Sequence, residues 1–221
     1  LEAYPSGRPG GFSVPDGVVQ VGPLSFAYSK VESVHLSADV KLVRQEYTAF
    51  TFAYCLREIT VDAGNTSFTS VDGVLYDKAM SKLVCCPMAR TGGLKIPSGV
   101  TIVEPMACFD CWDLSYVQIP KSVLSIGPGA FLDDSYEAAI TTFYVEPGDR
   151  DRVAGLLTDS YLDVSTVSVF EGEPPPAGSY GIHFDANGGT GTMADLICAR
   201  DKVYNLTKCA FTAPAGKTFK G

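Results

Sequence analysis

A mainly β chain folded as a solenoid of stacked repeats is the class this sequence predicts, on three observations. Ile96-Pro97-Ser98-Gly99-Val100 returns as Ile119-Pro120-Lys121-Ser122-Val123, with Ile119 standing 23 residues after Ile96. Residues 107–117 match residues 49–59 position by position in apolar character. Val14-Pro15-Asp16-Gly17-Val18 with Ser25-Phe26 forms an earlier, degenerate copy, and Ala130-Phe131 opens a later one. A period in the twenties with apolar residues spaced L-x-x-V-x-I is the signature of a leucine-rich-repeat solenoid. One repeat alone cannot bury its apolar edge, so the copies stack and share a core. The expectation is a right-handed leucine-rich-repeat solenoid with a parallel sheet and a C-terminal helix-strand cap, a shape suited to display.

Five copies of the apolar edge are legible, around residues 31–36, 56–61, 94–96, 114–119 and 140–145. Each predicts a short parallel strand with alternate side chains turned inward, because strand side chains alternate with period two. Pro and Gly mark an irregular turn after each strand, and an Ala-Phe pair plugs the core on the return. The step from the second copy to the third is too long for one repeat. Residues 67–77 and then Lys82-Leu83-Val84 are β-prone runs punctuated by Gly and Asp, which reads as an inserted hairpin. After Val145 the repeat stops. Pro147-Gly148-Asp149 predicts a turn, residues 152–157 a short amphipathic helix, and residues 163–170 an alternating strand. A terminal repeat must hide its open apolar end, so helix and strand are the expected cap. The solenoid with its cap is assigned residues 12–170. Residues 171–179 hold Pro174-Pro175-Pro176 and read as a semi-rigid linker. A separate pattern follows over residues 180–221: an alternating strand at 180–186, then Asn187-Gly188-Gly189 as a tight turn.

Composition narrows the function. The 221 residues can bury one large core or two small ones. No run of eighteen apolar residues exists, so no membrane span is expected. The chain opens on Leu1-Glu2-Ala3-Tyr4-Pro5 without Met, which reads as a start cut away together with any export signal. The net charge is −8 with Lys and Arg scattered, whereas a nucleic-acid partner requires a basic stripe. Seven cysteines, an odd number with a vicinal Cys85-Cys86 pair, do not form a disulfide framework by pattern. Cys111 lies on the small buried position before the repeat Leu, and Cys55 lies close to it. Cys108-x-x-Cys111 has zinc-knuckle spacing but no second pair, and a closed zinc site takes four ligands; repeat packing is the expected role, and no metal or cofactor is expected.

Catalysis by a nucleophile–base pair needs a His near a Ser or Cys. The two histidines, His35 and His183, fall in different predicted domains, so no enzyme is expected. Asp133-Asp134 at a loop tip reads as solvated, since calcium takes six or more oxygens. Residues 187–191 lack the Lys and helix of a phosphate loop. Asn65-Thr66-Ser67 has the form of a glycosylation sequon.

Two resemblances add to this. Ile96-Pro97, Ile119-Pro120, Ala130-Phe131 and Asp72-Gly73-Val74-Leu75-Tyr76, with the closing Phe143-Tyr144-Val145-Glu146-Pro147-Gly148, resemble bacterial surface leucine-rich repeats of the Treponema/Bacteroides surface-antigen type over residues 12–170. Cys108 stands where that family has Phe, and the first copy is one residue short. Residues 184–193, Phe184-Asp185-Ala186-Asn187-Gly188-Gly189-Thr190-Gly191-Thr192-Met193, with Leu206 and Gly216-Lys217-Thr218-Phe219, resemble the Listeria–Bacteroides or internalin B-type repeat. This implies a small β-grasp-like module, here ending before the family's terminal Trp. Both resemblances imply an extracellular or cell-surface bacterial protein, commonly an adhesin, whose partner is a protein or glycan on a host cell, matrix or neighbouring bacterium.

The surface available for such a partner is the strand face turned away from the core. In L-x-x-V-x-I the residues flanking the second apolar position face outward: Ser33 and His35, Glu58 and Thr60, Lys95, Tyr116 and Gln118, Thr142 and Tyr144. Stacking would set them in rows on one concave sheet, where tyrosines beside polar neighbours suit recognition. The same residues also suit a merely solvated strand face. The expected function is non-catalytic adhesion through this face, with a ligand-free wall-spacing segment as the alternative and the non-catalytic part of a secreted enzyme behind it.

Overall fold

The computed structural model describes residues 1–43, 49–176 and all of 179–218 except 183, 185, 187, 192, 194, 201 and 207. The chain separates into two compact units, Leu1–Gly172 and Glu173–Gly221.

The first unit is a solenoid of stacked, mostly parallel strands. β1 (Gly10–Ser13), β3 (Val31–Leu36) and β5 (Glu58–Val61) form one parallel sheet, with β2 (Gln20–Val21) and β4 (Leu42–Val43) pairing in parallel on another side of the coil. β6 (Phe68–Val71), β7 (Val74–Asp77) and β8 (Lys82–Cys85) are antiparallel neighbours. β8 then continues in parallel into β10 (Ile102–Val103) and β12 (Ser125–Ile126). β9 (Gly92–Lys95), β11 (Leu114–Ile119), β13 (Thr142–Val145) and β14 (Ser168–Glu171) complete the strand row as a four-stranded parallel sheet. Helix α1 (Arg150–Asp159) lies between β13 and β14.

The I-P-x-x-V motif is a turn. The Pro97 and Pro120 carbonyls each accept from the backbone N–H three residues on, at Val100 and Val123. Each Pro stands at the first position of its turn, with Ser98-Gly99 and Lys121-Ser122 as the central pairs, and both valines are fully buried. One strand later Val103 and Ile126 are buried in register. The expected core residues Leu56, Ile59, Ile96, Leu114, Val117, Ile119, Ile126 and Phe131 are all buried. β11 and β13 are neighbours as expected, pairing Val117 with Phe143.

The insert differs from a simple hairpin. Residues 67–77 fold back on themselves at Asp72-Gly73, both with positive φ (49° and 76°), as a two-residue hairpin turn demands. β8 is a third strand of the same meander. Val74, Tyr76, Leu83 and Cys86 pack into one hydrophobic cluster with the C-terminal repeats. Leu75, Val84 and Cys85 pack into a second cluster with the N-terminal ones. β7 and β8 are therefore an internal wall with both faces dry, and strands buried on both faces read as continuous apolar runs; β6, with Val71 40% exposed, is the outer edge of this sheet. The vicinal cysteines simply face opposite cores. Asn65 anchors the entry: its amide donates to the Ser37 and Val40 carbonyls and its oxygen accepts from the Ser67 and Phe68 N–H groups. Its side chain is buried and fully engaged, so the sequon there is a structural tie.

At the C-terminal end the helix is longer than its amphipathic stretch, and only the second half of 163–170 is strand. Val164–Thr166 is a 3-10 turn started by Asp163, whose carboxylate accepts from Ser165 N–H. The Asx hydrogen bond outcompetes the extended backbone there. α1 is tied back by Arg152, which pairs with Asp149 (2.7 Å) and donates to the Val123 carbonyl.

In the second unit, β15 (Ser179–Ile182) pairs antiparallel with β16 (Leu196–Ala199), and Thr190 bridges Thr212. The strand expected over 180–186 thus ends at Ile182, and Thr218 is irregular. His183, Asp185, Asn187, Thr192 and Phe219 lie outside the described residues.

Candidate functional site

The outward residues of the strand row fall into two groups, because β5 does not pair with β9. The edge of β5 meets the insert instead: Ile59 N–H donates to the Gly73 carbonyl at 2.8 Å. The single concave sheet expected from the sequence is corrected to two sheets, since the insert takes the edge that β9 would have used. Ser33 and His35 on β3 stand beside Glu58 and Thr60 on β5, and His35 Nδ1 lies 3.0 Å from Thr60 Oγ1. Lys95, Gln118, Tyr144 and Phe170 form a row across β9, β11, β13 and β14. Thr142 sits beside Ser168.

Exposure divides the second group. Gln118 is 8% exposed and Tyr144 only 5%, against the expectation that both are free surface. The cause is mutual cover between adjacent strands. Cross-strand neighbours lie ~5 Å apart, within reach of any ring. Tyr144 is flanked by Tyr116 (ring centroids 5.5 Å, near-perpendicular) and Phe170 (5.6 Å). Tyr116 itself lies across Gly93, where an added Cβ would fall 2.0 Å from the ring, so only glycine admits this pose. Gln118 Oε1 is buried without a hydrogen-bond partner. The half-exposed ring of this face is therefore Tyr116, and the sequence reading missed Phe170, which covers Tyr144 from β14.

A second concentration of side chains lies where the chain enters the strands. Tyr54, Met88, Ala89, Asp110, Trp112 and Asp113 line a cavity of about 380 Å³. The repeat alignment holds the signal for it, because Tyr54 and Trp112 both stand two residues before the Leu that precedes or opens a strand. Burial pushes the Asp110 carboxyl up to about 6, opposed by the Asp134 N–H it accepts and supported by the Asp134 and Asp133 charges. Tyr54 is likewise raised, by burial and then by Asp110.

Cys85, Cys86, Cys108 and Cys111 behave as solenoid core. Cys86, Cys108 and Cys111 meet in the C-terminal cluster, and Cys111 Sγ donates weakly to the Cys86 carbonyl at 3.7 Å. Burial holds the Cys108 thiol well above its ordinary range, so this sulfur stays protonated and inert. Cys55 is exposed. Among the described residues no group of three His, Cys, Asp or Glu side chains is placed to hold a metal, and no helix is long and apolar enough to cross a membrane.

No protein-family model matches the chain, and no curated protein matches it. Among solved structures it is similar to a leucine-rich repeat protein from Eubacterium ventriosum, at 19% identity and a TM-score of 0.48, covering 73% of this chain and 54% of that one. It is also similar to a leucine-rich cell surface protein from Faecalibacterium prausnitzii, at 19% identity and 0.44, covering 74% and 59%. A third is the pneumococcal vaccine antigen PcpA, at 15% and 0.37, covering 74% and 68%. The chain thus spans just over half the length of the first two.

Proposed function

We propose that this chain is a non-catalytic binding protein of the bacterial surface, gripping a protein or glycan partner on the strand face of its C-terminal repeats. The observation that carries this reading is Tyr116, seated on Gly93 and braced by Tyr144. A ring fixed before contact loses little freedom on binding, and pre-organised aromatic anchors supply much of interface energy. Lys95 and Thr142 supply a polar margin. Ser33, His35, Glu58 and Thr60 make a second, polar patch on the N-terminal sheet. The surface location rests on the repeat and module motifs, and residues 171–179 act as spacer between the solenoid and a β-grasp-like module over 180–221.

The test uses beads coated with residues 1–221 and measures their adhesion to cultured epithelial cells and to purified extracellular matrix. Tyr116→Ala is expected to weaken adhesion about tenfold or more, as loss of an aromatic hot spot costs ~2 kcal/mol. Its melting temperature should stay within a few degrees. Tyr144→Ala is unsuitable as the first variant, since Tyr144 is buried and its truncation acts on stability. Equal adhesion by Tyr116→Ala beads, or none by the unaltered chain, would favour the wall-spacing role.

A further inference from the structure

The entry turns of successive repeats are joined edge to edge by backbone hydrogen bonds. Phe26 N–H donates to the Ala49 carbonyl, Tyr28 to Phe52, Cys108 to Ala130 and Asp110 to Leu132. These bonds and the match of 49–59 with 107–117 make Tyr28, Phe52 and Asp110 equivalent positions. All three have left-handed backbone, with φ of 55°, 63° and 55°. In the N-terminal repeats that position is a ring, and Tyr28 stacks on Phe52 at 5.2 Å and 9°. At Asp110 the ring is replaced by a shorter carboxylate, and the cavity opens beside it.

The walls of that cavity have a definite chemistry. Asp110 is 2% exposed; Oδ1 accepts from Asp134 N–H at 3.0 Å, while Oδ2 is buried without a hydrogen-bond partner. A buried acceptor left unpaired costs free energy that a donor entering the cavity would recover. Trp112, 54% exposed, and the exposed Tyr54 present aromatic surface, which attracts cations through the ring quadrupole. Tyr54 is further braced by Tyr28 and Phe52. Met88 and Ala89 add an apolar stretch able to hold the methylene stem of a long cationic side chain. Asp113 lines the cavity too, with Asp133 and Asp134 close by, and among the described residues no Lys or Arg does. A sugar could stack on these rings and donate its hydroxyls to the carboxylates, but two carboxylates with no cationic side chain among the lining residues favour a cationic guest.

We infer that this cavity receives the guanidinium of an arginine side chain presented by a partner protein. The planar cation stacks against Trp112 and Tyr54, and its forked N–H groups donate to Asp110 Oδ2 and Asp113. Arginine fits better than lysine, because a guanidinium both stacks and offers fixed donors. The net charge of −8 favours the approach of a basic partner at low ionic strength. None of these residues belongs to the strand face around Tyr116, so the two sites stand or fall separately.

The test titrates the intact chain with Nα-acetyl-L-arginine methylamide, its neutral citrulline counterpart and a methyl glycoside. Fluorescence of Trp112, the chain's sole tryptophan, and isothermal calorimetry follow binding. Saturable binding of the arginine derivative is expected, with citrulline about tenfold weaker or worse, no response to the glycoside, and weakening by salt. Asp110→Asn preserves the acceptor for Asp134 N–H and should reduce affinity roughly tenfold, the scale of one charged hydrogen bond. Should circular dichroism show that variant misfolded, the exposed Asp113→Asn serves in its place and should reduce affinity several-fold. Equal binding of citrulline and arginine, saturation by the glycoside, unchanged affinity in the folded aspartate variant, or no saturable signal would each overturn the assignment.

Discussion

On β3 and β5 the outward side chains are Ser33, His35, Glu58 and Thr60, whereas from β11 to β14 they include Tyr116, Tyr144 and Phe170. At the entry turns the distribution reverses. Tyr28 and Phe52 form a ring stack in the N-terminal repeats, and their C-terminal equivalent is the buried Asp110. The inward columns differ far less, with Val34 beside Ile59 in one half and Val117 beside Phe143 in the other. Stacking constrains only the side chains that point inward, because those alone share the core between repeats. The outward and turn positions of each half are therefore open to separate chemistry on one scaffold.

The comparison of halves depends on the wall between them, and breaking that wall should have the largest effect. Tyr76 is fully buried on the C-terminal side of β7, and Leu75 on the N-terminal side. Tyr76→Ala should cost ~3–5 kcal/mol and Leu75→Ala ~2–5 kcal/mol, the range for emptied core sites. Hydrogen exchange should show lost protection in both halves for either variant. Loss confined to one half would mean that the two cores fold independently.

An intermediate effect distinguishes the strand faces. Gly93 lies under the Tyr116 ring, while a Cβ at Gly11 would crowd the Ser33 hydroxyl, 2.8 Å away and able to rotate, and meet the Ser33 carbonyl at an ordinary 3.9 Å. Gly93→Ala should cost ~1–3 kcal/mol, as overpacking does, and displace Tyr116. Gly11→Ala should stay within ~0.5 kcal/mol. Urea unfolding of the pair measures the contrast, and equal costs would remove the distinction between a ring-covered and an open strand.

The smallest expected effect is a pH dependence. Asp110, facing Asp113, Asp133, Asp134 and Tyr54, is raised to about 6 by burial, so the folded chain binds its proton more tightly than the unfolded one. Stability from this group is full below the ordinary carboxylate range and falls as pH rises through about 6. Asp149 has the opposite sign: its hydrogen bond from Arg152 holds it below the ordinary value, so its contribution is present at neutral pH and lost in acid. Melting temperatures from pH 4 to 7 should decline less in Asp110→Asn than in the unaltered chain. An identical decline in both would place the titration elsewhere.

Much of the solenoid is legible before folding. The spacing of Ile96-Pro97 and Ile119-Pro120 sets turn, strand and buried valine within a few residues of each other, and local hydrogen bonds close the turn. Strand limits at Val31–Leu36 and Leu114–Ile119 agree with the apolar alternation residue for residue. The binding surfaces were less legible. Nothing in the pattern around Tyr144 distinguishes a free tyrosine from one covered by Tyr116 and Phe170, since all three lie on different strands.

By itself the sequence determined which side chains point inward, because alternation and repeat period are local properties that every stacked copy must satisfy. Only the tertiary structure decided that β7 and β8 become a wall with two buried faces, and that β5 and β9 are parted. It alone brought Tyr54, Met88, Asp110 and Trp112 from three different repeats around one cavity. Those outcomes depend on which edges and faces find each other across tens of residues, where burial and hydrogen-bond geometry, not spacing along the chain, select the partner.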